Sequence, residues 1–160
     1  MTTPRQVLED CQLDNVNSFN LNGYICKAKV LRCHDADTIT VALPFIGTFY
    51  KFIVRLAGID SFELKSENEI LRNKAVISRN KLLDLLTGNT ITQYEDSETF
   101  FKEHVVIVDI HCNRFDKYGR LLGDVLVGGI NVSKYLLDNG LAYVYAGGTK
   151  LTDAQQLTLI

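Results

Sequence analysis

Residues 26–56 read CKAKVLRCHDADTITVALPFIGTFYKFIVRL, and this stretch gives the strongest evidence for the predicted architecture. Apolar and polar side chains alternate in three successive parts of it, around Val30, Val41 and Val54. Successive side chains of a β-strand point to opposite faces, so each part predicts a short strand with one buried face. Because only short turns separate the three parts, the stretch predicts an antiparallel meander.

The pattern then changes from a strand period to a helical one. Apolar residues recur on one face between Leu71 and Leu86, and Gly88 follows as a helix stop. Ser66 and Glu69 have the spacing of a capping box at the start of this helix. Further signals predict strands at 90–93, 105–110, 121–127 and 142–145, an inserted acidic loop at 94–103, a short helix at 132–139, and a last turn capped by Thr152 and Gln155.

The order β-β-β-α-β-β-α-β predicts an α+β protein that is mainly β, a partly closed five-stranded barrel with two to three helices. Its 160 residues, of which 46% are hydrophobic and 22% charged, suit one folded domain. Residues 1–20 are polar and predict a loosely attached extension. The domain is therefore predicted at residues 21–146 and a short tail at residues 147–160.

Charge and apolar length limit the classes of function. The net charge is −2 and the isoelectric point about 5.9, which argues against binding nucleic acid mainly through bulk positive charge. An anionic substrate would have to be met by local cations. No apolar stretch is long enough for a signal peptide or a membrane span, and the four cysteines lack CxxC spacing. We therefore expect an intracellular, cytoplasmic protein with reduced thiols and no membrane partner.

Three short motifs at the predicted strand ends combine carboxylates with arginines: HDADT (34–38), VRLAGIDSFE (54–63) and RFDKYGR (114–120). Acids from two separate turns would form a site of hard oxygen ligands, which suits Ca²⁺ or Mg²⁺. Each motif alone has a plainer interpretation, since Asp often only caps a turn. Arg55, inside a predicted strand, could likewise extend to solvent or pair with an acid. It is the occurrence of the three motifs together that indicates a functional site.

The motifs DADT, RLAGIDSFE, DKYGR and NGLAYVY together resemble the staphylococcal nuclease (thermonuclease) family, whose pattern reads D-G-D-T, R-L-x-x-x-D-T-P-E, D-K-Y-G-R and G-L-A. The match runs from about Tyr24 to Tyr145, which is most of the chain. This resemblance implies an oligonucleotide-binding (OB) fold barrel that binds one Ca²⁺, with Mg²⁺ or Mn²⁺ as alternative ions. It also implies an endonuclease that hydrolyses single- or double-stranded DNA and RNA. The implied chemistry is an in-line attack by a metal-bound water that leaves 3′-phosphates.

The resemblance implies a role for each matching acid. Asp37 and Asp60 would be carboxylate ligands of the ion, and Ser61 would offer its backbone carbonyl. Asp35 would stand behind these ligands without touching the ion. Glu63 would reach a metal-bound water and act as the general base.

Two arginines, Arg55 and Arg120, would hold the phosphate and stabilise the charge that grows on its oxygens. Arginine suits this role because its planar guanidinium grips two oxygens at once. For nucleotide binding, the resemblance implies contacts of Lys117 and Tyr118 with a terminal phosphate and of Tyr143 and Tyr145 with a base. Tyrosines in strands also often simply pack, which leaves a structural role open for them.

The sequence departs from the family pattern at three positions and near its end. Ala36 replaces a Gly, which requires a negative φ there, and Ser61 replaces a Thr, which leaves a main-chain ligand unchanged. Phe62 replaces a Pro, so we expect a looser turn and a less well positioned Glu63. The chain after Tyr145 is shorter than the last helix of secreted relatives. This predicts an exposed core or a partner that covers it, such as a second copy in a homodimer.

Three functions fit these residues to different degrees. Every charged position of the family's catalytic pattern is present, which favours an active calcium-dependent phosphodiesterase. The alternative is a non-catalytic nucleic-acid-binding module with the same OB-fold, and a purely structural domain would require the acids and arginines to coincide by chance. A few oxygen ligands on turns bind Ca²⁺ weakly. We therefore expect low activity at resting cytosolic Ca²⁺ that rises when Ca²⁺ is added.

Overall fold

The computed structural model describes residue 1 and residues 3–160. Its strands are β1 (Ile25–Asp35), β2 (Thr38–Phe45), β3 (Thr48–Leu56), β4 (Ile59–Asp60), β5 (Ile107–Phe115), β6 (Leu121–Val127), β7 (Ile130–Asn131) and β8 (Tyr143–Val144). Its α-helices are α1 (Pro4–Glu9), α2 (Glu69–Thr87), α3 (Ser97–Glu103), α4 (Val132–Asp138) and α5 (Asp153–Leu157). A 3₁₀ turn, Tyr94–Asp96, leads directly into α3.

Five strands close into a barrel of mixed direction. β1 pairs with β2 and β5, β2 with β3, and β5 with β6, all antiparallel. The barrel closes where β3 and β6 pair in parallel, with Val54 opposite Leu121 and Arg55 opposite Leu122. β7 is an additional strand beside β6, while β4 and β8 form a separate two-stranded pair. The predicted α+β architecture with a five-stranded barrel is confirmed, and the barrel is closed rather than partly closed.

The barrel interior is filled by the apolar positions of the alternating strands. Val30, Val41 and Val54, one from each strand of the meander, have no exposed surface. Ile110 and Leu121 add to the interior from β5 and β6 and are also fully buried. Burying an aliphatic side chain of this size contributes about 1.5–3 kcal/mol. The alternation visible in the sequence is therefore the pattern that stabilises the barrel.

Helix α2 begins with a different cap from the predicted one. Asn68 is the N-cap, and its Oδ1 accepts hydrogen bonds from two backbone N–H groups of the first turn at 3.0 and 3.2 Å. The Ser66 hydroxyl instead accepts from the N–H of Asn68 at 3.1 Å, so the predicted capping box of Ser66 and Glu69 is wrong. The helix ends as predicted at Gly88, whose φ of +63° glycine adopts without strain.

The region between α2 and β5 differs from the sequence prediction. Residues 90–93 form no strand, and residues 94–103 form the 3₁₀ turn and α3 rather than an acidic loop. Phe101 on α3 is buried and packs in the main core, which holds this helix against the barrel. The acids of the segment are exposed on its other side. The acidic composition therefore concealed a helix with one buried face.

The tail packs on the rest of the protein through a second apolar cluster. This cluster consists of Phe62, Leu71, Ala75 and Tyr143. Leu151 and Leu157 pack against it, and α5 contacts α2. Thr152 and Gln155 form the predicted capping box of α5. The tail thus covers apolar surface within its own chain, and the homodimer expected from its length stays a prediction.

The N-terminal segment carries α1, in which no residue is buried. Phe19 packs against Phe45 and Phe115, with ring centroids 5.8 and 6.2 Å apart, so the segment contacts the barrel at this point. Within residue 1 and residues 3–160, no helix is both long enough and apolar enough to cross a membrane.

Candidate active site

Two carboxylates lie at the turn between β1 and β2. A bulge in β1 between Cys33 and Asp35 bends the strand just before the turn. The backbone N–H of Asp37 donates to Asp35 Oδ1 at 3.2 Å, as in other turns that an Asp side chain stabilises. Ala36 stands where the family pattern has glycine, and it is buried without a positive φ. The turn thus accepts alanine and places Asp37 in a position where only 5% of it is exposed.

Arg55 joins two buried acids. It lies on β3 opposite Thr38 of β2, and its Nη2 is 2.8 Å from Asp60 Oδ1 and 3.6 Å from Asp37 Oδ2. Its Nη1 donates to the Ile59 carbonyl at 3.1 Å. Arg55 is 6% exposed and Asp60 is 1% exposed. These bonds to a carboxylate and to a backbone carbonyl fix the guanidinium in one orientation. Breaking any of them would leave a buried polar group without a hydrogen-bond partner.

Tyr143 supports Asp60 from the neighbouring strand. β4 and β8 pair so that the two residues lie opposite each other, and Tyr143 Oη donates to Asp60 Oδ2 at 2.6 Å. The Tyr143 ring packs edge-on against Phe62, with the ring centroids 5.8 Å apart. Because the ring is buried between protein groups, it offers no face to a base. Tyr143 therefore has the structural role that the sequence left open, and its predicted contact with a base stays untested.

Ser61 and Phe62 fix the turn that leads to Glu63. The backbone N–H of Ser61 donates to Asp37 Oδ2 at 3.0 Å. Phe62 is 3% exposed, within the second apolar cluster. The buried ring packs in place of the proline of the family pattern, and the expected loosening of this turn stays a prediction. Glu63 follows with a half-exposed side chain, and its Oε1 lies 3.1 Å from Lys150 Nζ.

The RFDKYGR turn holds Arg120 by an acid of its own. Asp116 Oδ1 accepts from the backbone N–H groups of Tyr118 and Arg120 at 2.9 Å each, and Arg120 Nε donates to Asp116 Oδ2 at 2.6 Å. Gly119 completes the turn with a φ of +80°, which other residues avoid. The Arg120 guanidinium and the Lys117 ammonium lie 5.3 and 5.1 Å from the ring centroid of the exposed Tyr118. The turn therefore displays two cations around one aromatic ring.

An open cavity of about 820 Å³ brings Arg55 and Arg120 together in one lining. Tyr145 forms part of its wall, with its ring centroid 5.3 Å from the Arg55 guanidinium. The charged residues of the lining are Arg55, Arg114, Asp116, Lys117, Arg120 and Lys150. Five cations against one acid make the cavity locally positive, although the chain as a whole carries a net charge of −2. Such a cavity can bind an anion.

Burial and charge set the protonation of the acids behind this cavity. Burial disfavours the ionised form of Asp37, but the Arg55 guanidinium and the hydrogen bonds to its oxygens outweigh burial, so its pKa lies below the usual value. For Asp35, burial and then the negative charge of Asp37 raise the pKa to about 7. Burial and the hydrogen bond to Asp60 raise the pKa of Tyr143. Asp37 therefore favours its ionised form, whereas its neighbour Asp35 keeps its proton to a higher pH than an ordinary aspartate does.

The donor chemistry of this cluster fits a hard divalent cation. Asp37 and Asp60 are close enough to share one guanidinium, and the Ser61 main chain is bonded to Asp37. Each carboxylate oxygen accepts one hydrogen bond in the structure and has lone-pair capacity for a second partner. In the described part of the chain, no three His, Cys, Asp or Glu side chains converge on a metal position. An ion would therefore depend on two carboxylates, a main-chain oxygen and water, all of which suit Ca²⁺.

The structure places the predicted site residues in one region. Asp37, Arg55 and Asp60 are in direct contact, and Glu63 is linked to Asp60 through Lys150. The predicted residues that line the cavity are Arg55, Lys117, Tyr118, Arg120 and Tyr145. Sequence reasoning missed Lys150 and left Arg114 without a role. No motif or periodic pattern marks Lys150, whereas Arg114 stands inside the RFDKYGR motif.

A closed barrel with a buried acid and guanidinium cluster beside a cationic cavity defines an OB-like protein. Comparison with protein families gives the particular family, because the model described as "Staphylococcal nuclease homologue" matches residues 53–159. The match covers well over half of the chain, and the protein therefore belongs to this family. Its members are typically nucleases, so membership indicates a nuclease or nucleic-acid-binding function.

One curated relative comes from an archaeon. The chain is 29% identical over 133 residues to "Uncharacterized protein MJ1439" of Methanocaldococcus jannaschii. The match covers 78% of this chain and 62% of the relative, so the chain spans less than two thirds of the relative's length.

Proposed function

We propose that this protein is a metal-dependent endonuclease that hydrolyses phosphodiester bonds in single- or double-stranded DNA and in RNA. Its ion would be Ca²⁺, with Mg²⁺ or Mn²⁺ as alternatives, and its products would end in 3′-phosphates. The observation that carries this proposal is that Arg55 and Arg120 line one cavity while the carboxylates of Asp37 and Asp60 lie directly behind Arg55.

The cavity supplies the charge that a phosphodiester requires. Hydrolysis builds negative charge on the oxygens around phosphorus, and fixed cations stabilise that charge more than they stabilise the substrate. Arg55 is suited to this because its orientation is set before any substrate binds, by Asp60 and by the Ile59 carbonyl. Arg120 is held in the same way by Asp116 and lines the same cavity.

Glu63 is the residue proposed to take a proton from the attacking water. Its side chain is half exposed, and the buried Phe62 anchors the backbone next to it. An ion bound to Asp37, Asp60 and the Ser61 carbonyl would supply further positive charge and would make a bound water more acidic. Asp35 accepts a hydrogen bond from the Asp37 N–H and would influence the charge of the Asp37 carboxylate without touching the ion.

Contacts with the rest of the nucleotide are proposed for the cavity rim. Tyr118 is 71% exposed and Tyr145 lies in the cavity wall, so both rings can meet a base or a sugar. Lys117 stands beside Tyr118 and is proposed to contact a terminal phosphate. None of these groups reads a base edge in a groove, so we expect broad substrate use rather than strong sequence specificity.

Digestion of labelled DNA and RNA oligonucleotides tests the proposal. Cleavage is measured for the wild-type protein with Ca²⁺ and with a chelator, and the product ends are identified by mass spectrometry. Arg120→Gln should reduce the cleavage rate by about 10²–10³, because it removes a donor to the transition state. The matched control is Lys134→Gln, since Lys134 is an exposed cation on α4 that pairs with Asp138 outside the cavity.

Three results would contradict the proposal. Cleavage that continues in the chelator would remove the metal requirement. Binding of the oligonucleotide without cleavage, in the presence of each of the three ions, would instead support the non-catalytic binding module. Equal loss of cleavage in Arg120→Gln and Lys134→Gln would show that net charge, rather than the arginine in the cavity, controls the rate.

A further inference from the structure

Lys150 contacts two of the acids that the proposed function uses. Its Nζ lies 3.4 Å from Asp60 Oδ1 and 3.1 Å from Glu63 Oε1. Asp60 is a proposed ligand of the ion and Glu63 is the proposed base. The ammonium group therefore stands between two carboxylates that would both have to serve a bound cation or its water.

The backbone around Lys150 is held on both sides. Before it, the Tyr145 N–H donates to the Gly58 carbonyl at 3.0 Å, and Tyr145 Oη donates to the Gly148 carbonyl at 2.8 Å. After it, Leu151 packs in the second apolar cluster, and α5 begins at its capping box. The position of Lys150 is thus set by the fold, while its long side chain remains free to rotate.

Lys150 reduces the excess of negative charge in this group. The buried guanidinium of Arg55 contacts two acids, Asp37 and Asp60, and a third acid, Glu63, contacts only Lys150 among the cations of the group. Lys150 adds a second positive charge to the same group. Burial disfavours the charged form of Lys150, but the carboxylates of Asp60 and Glu63 outweigh burial and raise its pKa, so the ammonium stays charged at neutral pH.

Lys150 can also leave this position at low cost. Its side chain is 52% exposed, and it lines the cationic cavity as well as touching the acids. A lysine that rotates away from Asp60 and Glu63 therefore moves into water or towards a phosphate in the cavity. By contrast, Arg55 has both partners buried and cannot make such a move without losing them.

We propose that Lys150 is a tethered counter-cation that competes with the divalent ion for Asp60 and Glu63 and must move aside when the ion binds. This inference rests on the proposed metal site. It assigns the segment between β8 and α5 a regulatory role, because the ammonium lowers the affinity for the ion in the absence of substrate.

Calcium titration by isothermal calorimetry, without nucleic acid, tests this role. The proteins compared are the wild type, Lys150→Met and Lys150→Arg. Lys150→Met should bind Ca²⁺ about three- to tenfold more tightly, since a half-exposed ion pair contributes a modest free energy to the competition. Lys150→Arg keeps the competing charge and should bind like the wild type. Circular dichroism verifies that each variant is folded.

Arg114→Met is the matched control for local charge. Arg114 lines the same cavity but forms no ion pair within the described residues, so its loss should change Ca²⁺ affinity less than the loss of Lys150. A second readout is the NMR signal of the Lys150 Cε and Nζ groups, which should shift towards that of a free lysine as Ca²⁺ is added.

The possible outcomes separate this inference from the proposed function. Equal Ca²⁺ affinity in the wild type and Lys150→Met would overturn the role of Lys150 and leave the metal site in place. Weaker binding in Lys150→Met would also overturn it, because the lysine would then support the ion. An equal gain in Ca²⁺ affinity in Arg114→Met would show that any loss of positive charge near the cavity has this effect, and would overturn the specific role of Lys150. Absence of Ca²⁺ binding in every protein would overturn the proposed metal site and this inference together.

Discussion

The two arginines of the cavity are held in contrasting ways. Arg55 lies near the end of strand β3, is almost fully buried, and binds Asp60 directly after that strand and Asp37 from the preceding turn. Arg120 comes from a turn, is about one third exposed, and binds an acid four residues before it. One guanidinium is therefore part of the core and the other belongs to a local motif.

Because of this difference, we expect Arg55 to contribute to the stability of the fold as well as to anion binding, and Arg120 to contribute mainly to anion binding. A buried ion pair is costly to break, because the remaining charge has no water to solvate it. An exposed pair within a turn contributes little, because water replaces the lost partner. Two residues with the same proposed role should therefore differ greatly in what their loss does to the fold, and the following four predictions test this comparison.

The largest effect is expected for Arg55→Met. This change leaves Asp60 and Asp37 buried without their shared cation. The free energy of unfolding should fall by about 3–5 kcal/mol. Urea denaturation followed by circular dichroism measures it. A loss below about 1 kcal/mol is typical of an exposed ion pair. It would show that the contacts of Arg55 with the two acids do not stabilise the core, and it would contradict the prediction.

Tyr143→Phe should have the next largest effect. It removes the donor to Asp60 Oδ2, and Asp60 is 1% exposed. An unpaired buried carboxylate oxygen should lower the free energy of unfolding by about 1–3 kcal/mol. Tyr145→Phe is the control, because the Tyr145 hydroxyl bonds an exposed loop carbonyl and water can replace it. Similar losses in the two variants would contradict the prediction.

Asp116→Asn should have a smaller effect that depends on pH. Burial disfavours the charged form of Asp116, but hydrogen bonds from Arg120 and Tyr118 outweigh burial and hold its pKa below the usual value. Its stabilising contribution is therefore present above the unfolded pKa and is lost as the pH falls through the folded pKa.

Denaturation of the wild type and Asp116→Asn at several pH values measures this contribution. We expect a difference of about 1 kcal/mol at pH 7 that shrinks below about pH 4. Asp138→Asn, which removes an exposed acid paired with Lys134, should differ from the wild type by less at every pH. A difference for Asp116→Asn that does not change with pH would show that the charge of Asp116 does not stabilise the turn.

The smallest effect on stability is expected for Arg120→Lys. The partly exposed ammonium can still reach Asp116, so the free energy of unfolding should change by less than about 0.5 kcal/mol. Cleavage should nevertheless decrease, because an ammonium cannot replace the two-donor fork of guanidinium. Measuring unfolding and cleavage on the same sample separates the two effects. An unfolding change as large as that of Arg55→Met would remove the distinction between the two arginines.

The sequence predicts those parts of the fold in which the order of neighbouring residues alone determines which side chains are buried or capped. The meander is visible because apolar residues recur at every second position around Val30, Val41 and Val54, and these positions are buried. The capping box of Thr152 and Gln155 is likewise a property of four adjacent residues. Such features do not depend on which distant element packs against them.

Features that depend on a distant partner could not be predicted in the same way. Phe101 is buried only because the barrel lies beside α3, and the acids around it are typical of a loop. β8 has two residues, too few for a periodic pattern, and its pairing with β4 decides that Tyr143 faces Asp60. The partners of Lys150 lie far back in the sequence, at Asp60 and Glu63.

The parallel pairing of β3 with β6 also has a consequence for the order of folding. Arg55 lies within this pairing, opposite Leu122, and Arg120 comes directly before β6, so the two guanidinium groups become neighbours only after a large part of the chain has been synthesised. Pairings between distant segments form late, because the long intervening chain must first be ordered. A nascent chain on the ribosome therefore holds only half of the proposed phosphate-binding apparatus. Incomplete or unfolded copies of the proposed nuclease would therefore lack the paired arginines on which its cleavage depends.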